Sequence, residues 1–195
     1  MSVGLILVDI QNDYLPHGKM ELEGSEQAGQ VAGRLLDFFR AHGLSVFHIE
    51  HIAIHPGATF FLPDTVGADI HQSVKPIAGE TIIQKHFPNS FRETDLLPHL
   101  QRANFRQVVI AGMQTHMCVD ATTRAAADYG YACLIAHDAC ATRSLQFDGR
   151  VVSAADVQTA FLAALNGSYG KVMSAESIIA ELSECLLERS SHLLR

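Results

Sequence analysis

Val108-Val109-Ile110-Ala111-Gly112-Met113-Gln114-Thr115-His116-Met117-Cys118-Val119-Asp120-Ala121-Thr122-Thr123-Arg124-Ala125-Ala126-Ala127 is the stretch on which the reading of the fold turns. It opens as a short apolar run, largely β-branched and stopped by Gly112, which predicts a strand buried on both faces. It closes as an Ala-rich segment with no Gly or Pro before Gly130, which predicts a helix over residues 117–129. Thr115 is placed to cap that helix, its hydroxyl accepting from a backbone N–H two or three residues on. Cys118 then falls in the first turn, facing free N–H groups and the positive end of the helix dipole. That setting favours a thiolate over a thiol and makes Cys118 a candidate nucleophile. A lone cysteine is also commonly a small buried hydrophobe, so the rest of the chain has to supply its partners.

Outward from this unit, strands and helices alternate. Residues 3–10 read as a buried strand with Asp9 at its C-terminal end, where a carboxylate is unfavourable unless paired or useful. Residues 11–24 are loop. Ser25 is placed to cap a helix that Gly43 stops. A second strand covers 45–51, and a third covers 81–85 and ends on Lys85. Thr94 or Asp95 caps a short helix to about residue 103. The fourth strand is 107–111 and the fifth 132–137, followed by loop over 138–150. Ser153 with Asp156 opens a helix to about residue 166. A short sixth strand, 171–173, precedes a last helix capped by Ser174, with Ile178, Ile179, Leu182, Leu186 and Leu187 on its apolar face. Residues 52–79 form a long irregular stretch, which inside a compact domain is usually functional or mobile. Phe60 and Phe61 within it either line a pocket or anchor the loop to the core.

This alternation predicts a doubly wound, three-layer α/β/α domain with a six-stranded parallel sheet. Ligands bind such sheets beyond the C-terminal strand ends. Asp9, Lys85 and Cys118 gather there: an acid/base, a cation and a nucleophile at one edge of one sheet. A thiol attacking a carbonyl needs a base, a charge to support it and donors for the developing oxyanion. Asp9 can be the base if an apolar site raises its pKa. Lys85 can stabilise the charge, and N–H groups at the start of the Cys118 helix can receive the oxyanion. His116 is the rival base; otherwise its ring contacts substrate or caps the loop.

The 195 residues are enough for one such domain, spanning 1–195, and too few for two typical ones. A formal net charge of -7 argues against a general nucleic-acid binder. The N-terminus lacks the basic start of a signal peptide, and its apolar run is too short for a membrane span, which implies a cytoplasmic protein. Cys118, Cys133, Cys140 and Cys185 show no paired metal-type spacing and are expected as free thiols.

The chain resembles the isochorismatase-like cysteine hydrolases over nearly its whole length. The resemblance is carried by Val8-Asp9-Ile10-Gln11-Asn12-Asp13, by the Lys85 strand, and by Asn89-Ser90-Phe91 with Thr94. Above all it is carried by Gly112-Met113-Gln114-Thr115-His116-Met117-Cys118-Val119 with Thr122, Arg124 and Ala126. It implies a catalytic triad of Asp9, Lys85 and Cys118, a cis peptide between Met113 and Gln114, and an oxyanion hole from the N–H groups of Gln114 and Cys118. It also implies strand order 3-2-1-4-5-6 and assembly as a homo-oligomer, a dimer or tetramer.

Phe60, Phe61, Phe91 and His116 are the candidate pocket residues for a small-molecule substrate. Family members that are nicotinamidases carry a metal after the second strand. The matching positions here are His51, Ala53 and Thr59, a broken pattern, so no catalytic metal and no cofactor are expected. His51, His55 and His71 remain a nominal cluster that could hold zinc.

Cys118 leans the expected activity toward amide-type C–N hydrolysis through a thioester. The alternatives are vinyl-ether cleavage by acid catalysis from Asp9, and a non-catalytic binding protein or assembly subunit on the same fold.

Overall fold

The computed structural model describes residues 2–193, with side chains described as far as residue 188. The strands are β1 (Val3–Val8), β2 (Ser45–His51), β3 (Thr81–Lys85), β4 (Gln107–Met113), β5 (Ala132–Ala141), β6 (Leu145–Phe147), β7 (Arg150–Val152) and β8 (Lys171–Met173). The helices are α1 (Ser25–Ala41), α2 (Leu96–Arg102), α3 (Asp120–Asp128), α4 (Ala154–Leu165) and α5 (Ala175–Leu193). Six strands form one sheet in the order β3-β2-β1-β4-β5-β8, all pairs parallel. The expected doubly wound sheet and its strand order are therefore observed, β8 being the sixth strand of the sheet.

β1 sits at the centre and is buried along its whole length. Its side chains alternate between faces, as the two-residue period of a strand requires. Leu5 and Leu7 join one core with Val31, Leu35 and Phe39 of α1 and Ile178 and Leu182 of α5. Ile6 and Val8 join the other with Phe91, Leu96, Leu100, Ala126 and Cys118. Cys118 is therefore built into the core on the α2/α3 face. Among the described residues, no helix is long and apolar enough to cross a membrane.

Several local expectations change. β4 runs on to Met113. β5 does not stop at residue 137 but passes a bulge and pairs Cys140 with Gly112 and Ala141 with Met113. The supposed loop 138–150 holds the start of an antiparallel hairpin, β6–β7. Its turn is Asp148-Gly149, both with positive φ (48° and 72°), the left-handed pair that a tight hairpin favours. Ser25 is the first helical residue rather than a side-chain cap; Gly24, at φ 71°, holds that position without one. Ser153 and Ser174 do cap, accepting from the N–H groups of Asp156 (3.1 Å) and Ser177 (3.2 Å). Thr94, rather than Asp95, accepts from the Leu96 N–H at 3.3 Å. Leu187 is 69% exposed and so lies off the apolar face of α5.

The long stretch after β2 is stitched down by the loop that follows β1. Gln11 accepts from the His51 N–H at 2.8 Å and donates to His51 O and Ala68 O at 3.0 and 2.6 Å. Asn12 donates to Val66 O at 2.7 Å. Asp13 accepts from the Phe61 N–H at 2.7 Å, and a Cβ on Gly67 would lie 2.3 Å from the same carboxylate. Phe61 is thereby an anchor: fully buried, packed on Tyr14 with ring centroids 4.5 Å apart. Phe60 is partly buried against the same group.

Candidate active site

The turn that carries Cys118 begins at Gly112. Gly112 pairs with Val8 at φ 137°, and a Cβ there would lie 2.0 Å from Val8 O, so only glycine lets β4 lie this close to β1. The Met113–Gln114 peptide is cis. Residues Thr115–Val119 then form a π-helical turn, closed by the Val119 N–H on Gln114 O at 3.2 Å, before α3 begins. The expectation of an ordinary first α-helical turn is thus corrected; such wide turns are often found at functional sites. Thr115 is not the cap. It is fully buried, and its hydroxyl lies 2.6 Å from Gln158 Oε1 and 3.2 Å from Ala141 O. Buried carbonyl acceptors take the hydroxyl that an exposed cap would have kept.

Asp9 lies one residue beyond β1 at φ 49°, a left-handed conformation that costs energy and clusters at functional sites. Lys85 closes β3, two strands away, and reaches past the end of β2. Its Nζ is 2.8 Å from Asp9 Oδ2, with both side chains fully buried. It also donates to Phe87 O at 3.0 Å and meets His51 Nδ1 at 3.0 Å. His51 Nδ1 is 3.7 Å from Asp9 Oδ2. One ligand-type atom each of Asp9, His51 and Cys118 lies within 4.8 Å of the other two. The three expected residues are therefore brought together, and His51 joins them.

Electrostatics differ from the expectation in two respects. Burial opposes ionisation of Asp9 but is outweighed by Lys85 and His51, so its carboxyl is held below the usual range rather than above it. Burial likewise opposes the charge on Lys85, yet Asp9 and Cys118 hold its ammonium above the usual range. The Cys118 thiol is pushed well up, first by burial and then by Asp9, against the pull of Lys85. The resting cluster is a thiol beside a carboxylate–ammonium pair. At 3% exposure, desolvation of the sulfur wins over the donors of the turn.

Phe91 is a core residue on the Cys118 side, against Tyr129. His116 is half-buried, its Nδ1 2.6 Å from Thr142 Oγ1 and its ring edge-on to Phe161. Tyr14 was not singled out from sequence. It is 3% exposed, and burial, followed by Cys118 and Asp9, keeps its phenol protonated well past its ordinary range. The loop after β3 is pinned to α3 by Ser90 Oγ on Thr122 Oγ1 at 2.8 Å, and is closed on itself by Thr94 Oγ1 donating to Ser90 O at 2.6 Å.

The nominal histidine cluster does not assemble. His55 Nδ1 lies 3.3 Å from Pro56 O, and His71 Nδ1 lies 2.9 Å from Ser73 Oγ. Among the described residues the trio of potential metal ligands is Asp9, His51 and Cys118, with the Lys85 ammonium 2.8 Å from Asp9 Oδ2 and 3.0 Å from His51 Nδ1.

The isochorismatase domain model matches residues 3–177. The chain belongs to the isochorismatase family. It is 48% identical over 179 residues to the uncharacterised family protein YddQ of Bacillus subtilis, covering 92% of this chain and 99% of that one. The crystal structure described as an isochorismatase hydrolase from Oleispira antarctica superposes with a TM-score of 0.89 at 47% identity, covering 92% and 96% of the two chains. The maleamate amidohydrolase of Pseudomonas putida is 25% identical over 193 residues, 91% of this chain and 85% of that one. This isochorismatase-family chain is thus a hydrolase whose relatives include an amidohydrolase.

Proposed function

We propose that this protein hydrolyses a C–N bond of a small amide through a thioester on Cys118. The observation that carries the proposal is the Cys118 thiol set beside a fully buried Asp9–Lys85 pair at 2.8 Å. Asp9 takes the thiol proton as Sγ attacks the carbonyl carbon. With the thiol pKa high and that of Asp9 low, little free thiolate accumulates, so proton transfer accompanies attack. Lys85 balances the negative charge, and the N–H groups of Gln114 and Cys118 receive the oxyanion. The C–N bond then breaks as Asp9 returns the proton to nitrogen. Water, deprotonated by Asp9, attacks the thioester. The C–S bond breaks, the sulfur regains its proton, and an acid is released.

His51 positions this machinery: its Nδ1 lies 3.0 Å from Lys85 Nζ and 3.7 Å from Asp9 Oδ2, in reach of both charged groups. The vinyl-ether alternative needs a protonated Asp9, and Lys85 with His51 opposes that state. Assembly as a dimer or tetramer belongs to the same proposal, supported by the exposed apolar side chains Phe147 and Val151 on the β6–β7 hairpin.

The test is turnover of small amides, ureides and vinyl ethers by the wild type and by Cys118→Ala. Amide hydrolysis should vanish in the variant, and in the wild type a trapped acyl group should add its mass to the Cys118 peptide. Undiminished amide hydrolysis by Cys118→Ala would overturn the thioester and favour direct acid catalysis by Asp9.

A further inference from the structure

Lys85 sits on an edge strand. Among the described residues β3 pairs with β2 alone. Of its five residues Ile82 and Gln84 are exposed, and Ile83 is the one buried apolar side chain. A strand's register is specified mainly by the side chains it must bury, and β3 buries few. A two-residue slip would keep every side chain on its own face, yet at roughly 3.3 Å per residue it would carry Lys85 about 7 Å along the sheet. The contact to be lost is 2.8 Å from Nζ to Asp9 Oδ2, made by a side chain that already reaches past the end of β2.

Side-chain ties at the two ends of β3 do specify its register. At the C-terminal end the Ile52 N–H donates to Lys85 O at 3.0 Å, and His86 Nδ1 lies 2.8 Å from Ile52 O. At the other end stands Glu80, the residue before β3, whose carboxylate meets four donors. Arg40, in the last turn of α1, donates from Nε to Oε1 at 2.7 Å and from Nη2 to Oε2 at 2.8 Å. The same Nη2 donates to Lys75 O at 2.8 Å. The Ile77 N–H donates to Oε2 at 3.0 Å, and His48 Nε2 of β2 lies 2.8 Å from the same oxygen. His48 is the ladder partner of Ile82, two residues beyond Glu80. One side chain thus joins β3 to β2 and to α1, an element outside the strand pair.

This grip gives direction more than stability. His48 is 1% exposed, and its Nδ1 has no partner among the described residues. Facing an ionised carboxylate, Nε2 carries the hydrogen, which leaves Nδ1 a buried lone pair. An orphaned buried acceptor is destabilising, and a packed apolar cluster often serves the fold as well as a buried ionic one. A bidentate guanidinium with a ring nitrogen, by contrast, holds a carboxylate in one place.

We propose that Glu80, held by Arg40 and His48, is a positioning residue for Lys85: it keeps β3 in the register that sets the ammonium against Asp9 and beside Cys118. The proposal rests on the Cys118 hydrolase reading of the site. Glu80 touches no reacting atom and acts along β3.

The test reads the lysines one by one. Lys19, Lys75, Lys85 and Lys171 are the lysines of the chain; the first, second and fourth are exposed, and Lys85 is fully buried. Acetylation by an N-hydroxysuccinimide ester is followed by peptide mass. In the parent, Lys85 should resist over a period that acetylates Lys19 and Lys171. Glu80→Gln and His48→Leu should each speed its acetylation about 10-fold, the change in local opening that one charged hydrogen bond commands, with Lys19 and Lys171 unchanged. His48→Gln, whose amide nitrogen takes the place of Nε2, should restore protection. Iodoacetamide separates displacement from unfolding. The buried Cys133 and Cys140 should stay unlabelled throughout, while Cys118 reacts more slowly in Glu80→Gln and His48→Leu, because a thiol that loses a nearby cation is less ionised.

Lys85 still protected in Glu80→Gln and His48→Leu, or exposed only together with Cys133 and Cys140, would overturn the positioning role, since the grip would then serve the fold at large. Undiminished labelling of Cys118 beside an exposed Lys85 would overturn its link to the sulfur. Failure of Cys118 to label in the parent would overturn the nucleophile instead and leave the lysine measurement standing. If Glu80→Gln or His48→Leu does not fold, Arg40→Lys, which keeps the charge and loses the fork, is judged by the same criterion.

Discussion

Replacing Lys85 by Met keeps much of the side chain's bulk and removes the cation from the fully buried pair with Asp9. At 2.8 Å, Coulomb's law with an effective dielectric of about 20 gives an attraction of about 6 kcal/mol, set against several kcal/mol to desolvate each ion. The pair's net worth is therefore small, but stranding one partner is not. Lys85→Met should destabilise the fold by about 3–5 kcal/mol at neutral pH, because Asp9 is left buried with no countercharge.

The variant has a pH signature of its own. In the wild type Asp9 is held below the usual carboxylate range, so its contribution is present above the unfolded pKa and is lost as pH falls through the folded value. Without Lys85 the burial effect dominates and the sign reverses. The variant's Asp9 then favours folding in its protonated form, so the variant loses stability as pH rises. Its deficit against wild type should shrink as the medium is acidified toward the ordinary carboxylate pKa. Asp9→Asn/Lys85→Met, with no buried charge, should recover most of the loss. Urea unfolding of the three proteins at neutral and mildly acid pH measures all three effects. A loss under about 1 kcal/mol for Lys85→Met, or a double variant no more stable than the single one, would refute the buried pair as described.

Gly112→Ala should cost more than the usual ~1 kcal/mol of a glycine substitution and should also abolish turnover. Its Cβ would meet Val8 O at 2.0 Å at a φ of 137°, and the shift would pass directly into the Cys118 turn; wild-type melting and activity would refute this. Glu80 bridges Arg40 (2.7 Å) and the buried His48 (2.8 Å). Its burial is outweighed by Arg40, the Ile77 N–H and His48, which lower its pKa from 4.5 to about 2. Its contribution should be complete above about 4.5 and fade as pH falls toward about 2, and Glu80→Gln should flatten that part of the stability profile in acid titrations followed by circular dichroism. Chelator should leave hydrolysis intact: Ala53 offers no ligand, and the Lys85 ammonium lies 3.0 Å from His51 Nδ1. Activity lost with a stoichiometric metal on dialysis would contradict that reading.

The local pattern of residues was enough for the strands, their order of appearance and the chemistry at their ends. β1 and β4 are continuous apolar runs, and a run buried on both faces has one stable home, the middle of a parallel sheet. Asp9, Lys85 and Cys118 were legible because a charged or reactive group just past such a run is costly unless it is used. The Asp148-Gly149 turn pair is a local signal too, yet residues 138–150 read as loop and the hairpin emerges only in the structure.

What only the tertiary structure decided depends on contacts between distant segments. The Lys85 side chain passes the end of β2, and that crossing recruits His51. The bulge in β5 brings Cys140 and Ala141 beside Gly112 and Met113, and Thr142 meets His116 of the nucleophile's turn. Protonation was not legible either. A helix start argues for a thiolate and an apolar pocket for a raised carboxyl pKa, yet the structure reverses both. The thiol is nearly dry beside a carboxylate, and the carboxylate is beside a buried ammonium. A pKa follows from the charges and solvent within a few ångströms in space, and sequence spacing carries no record of them.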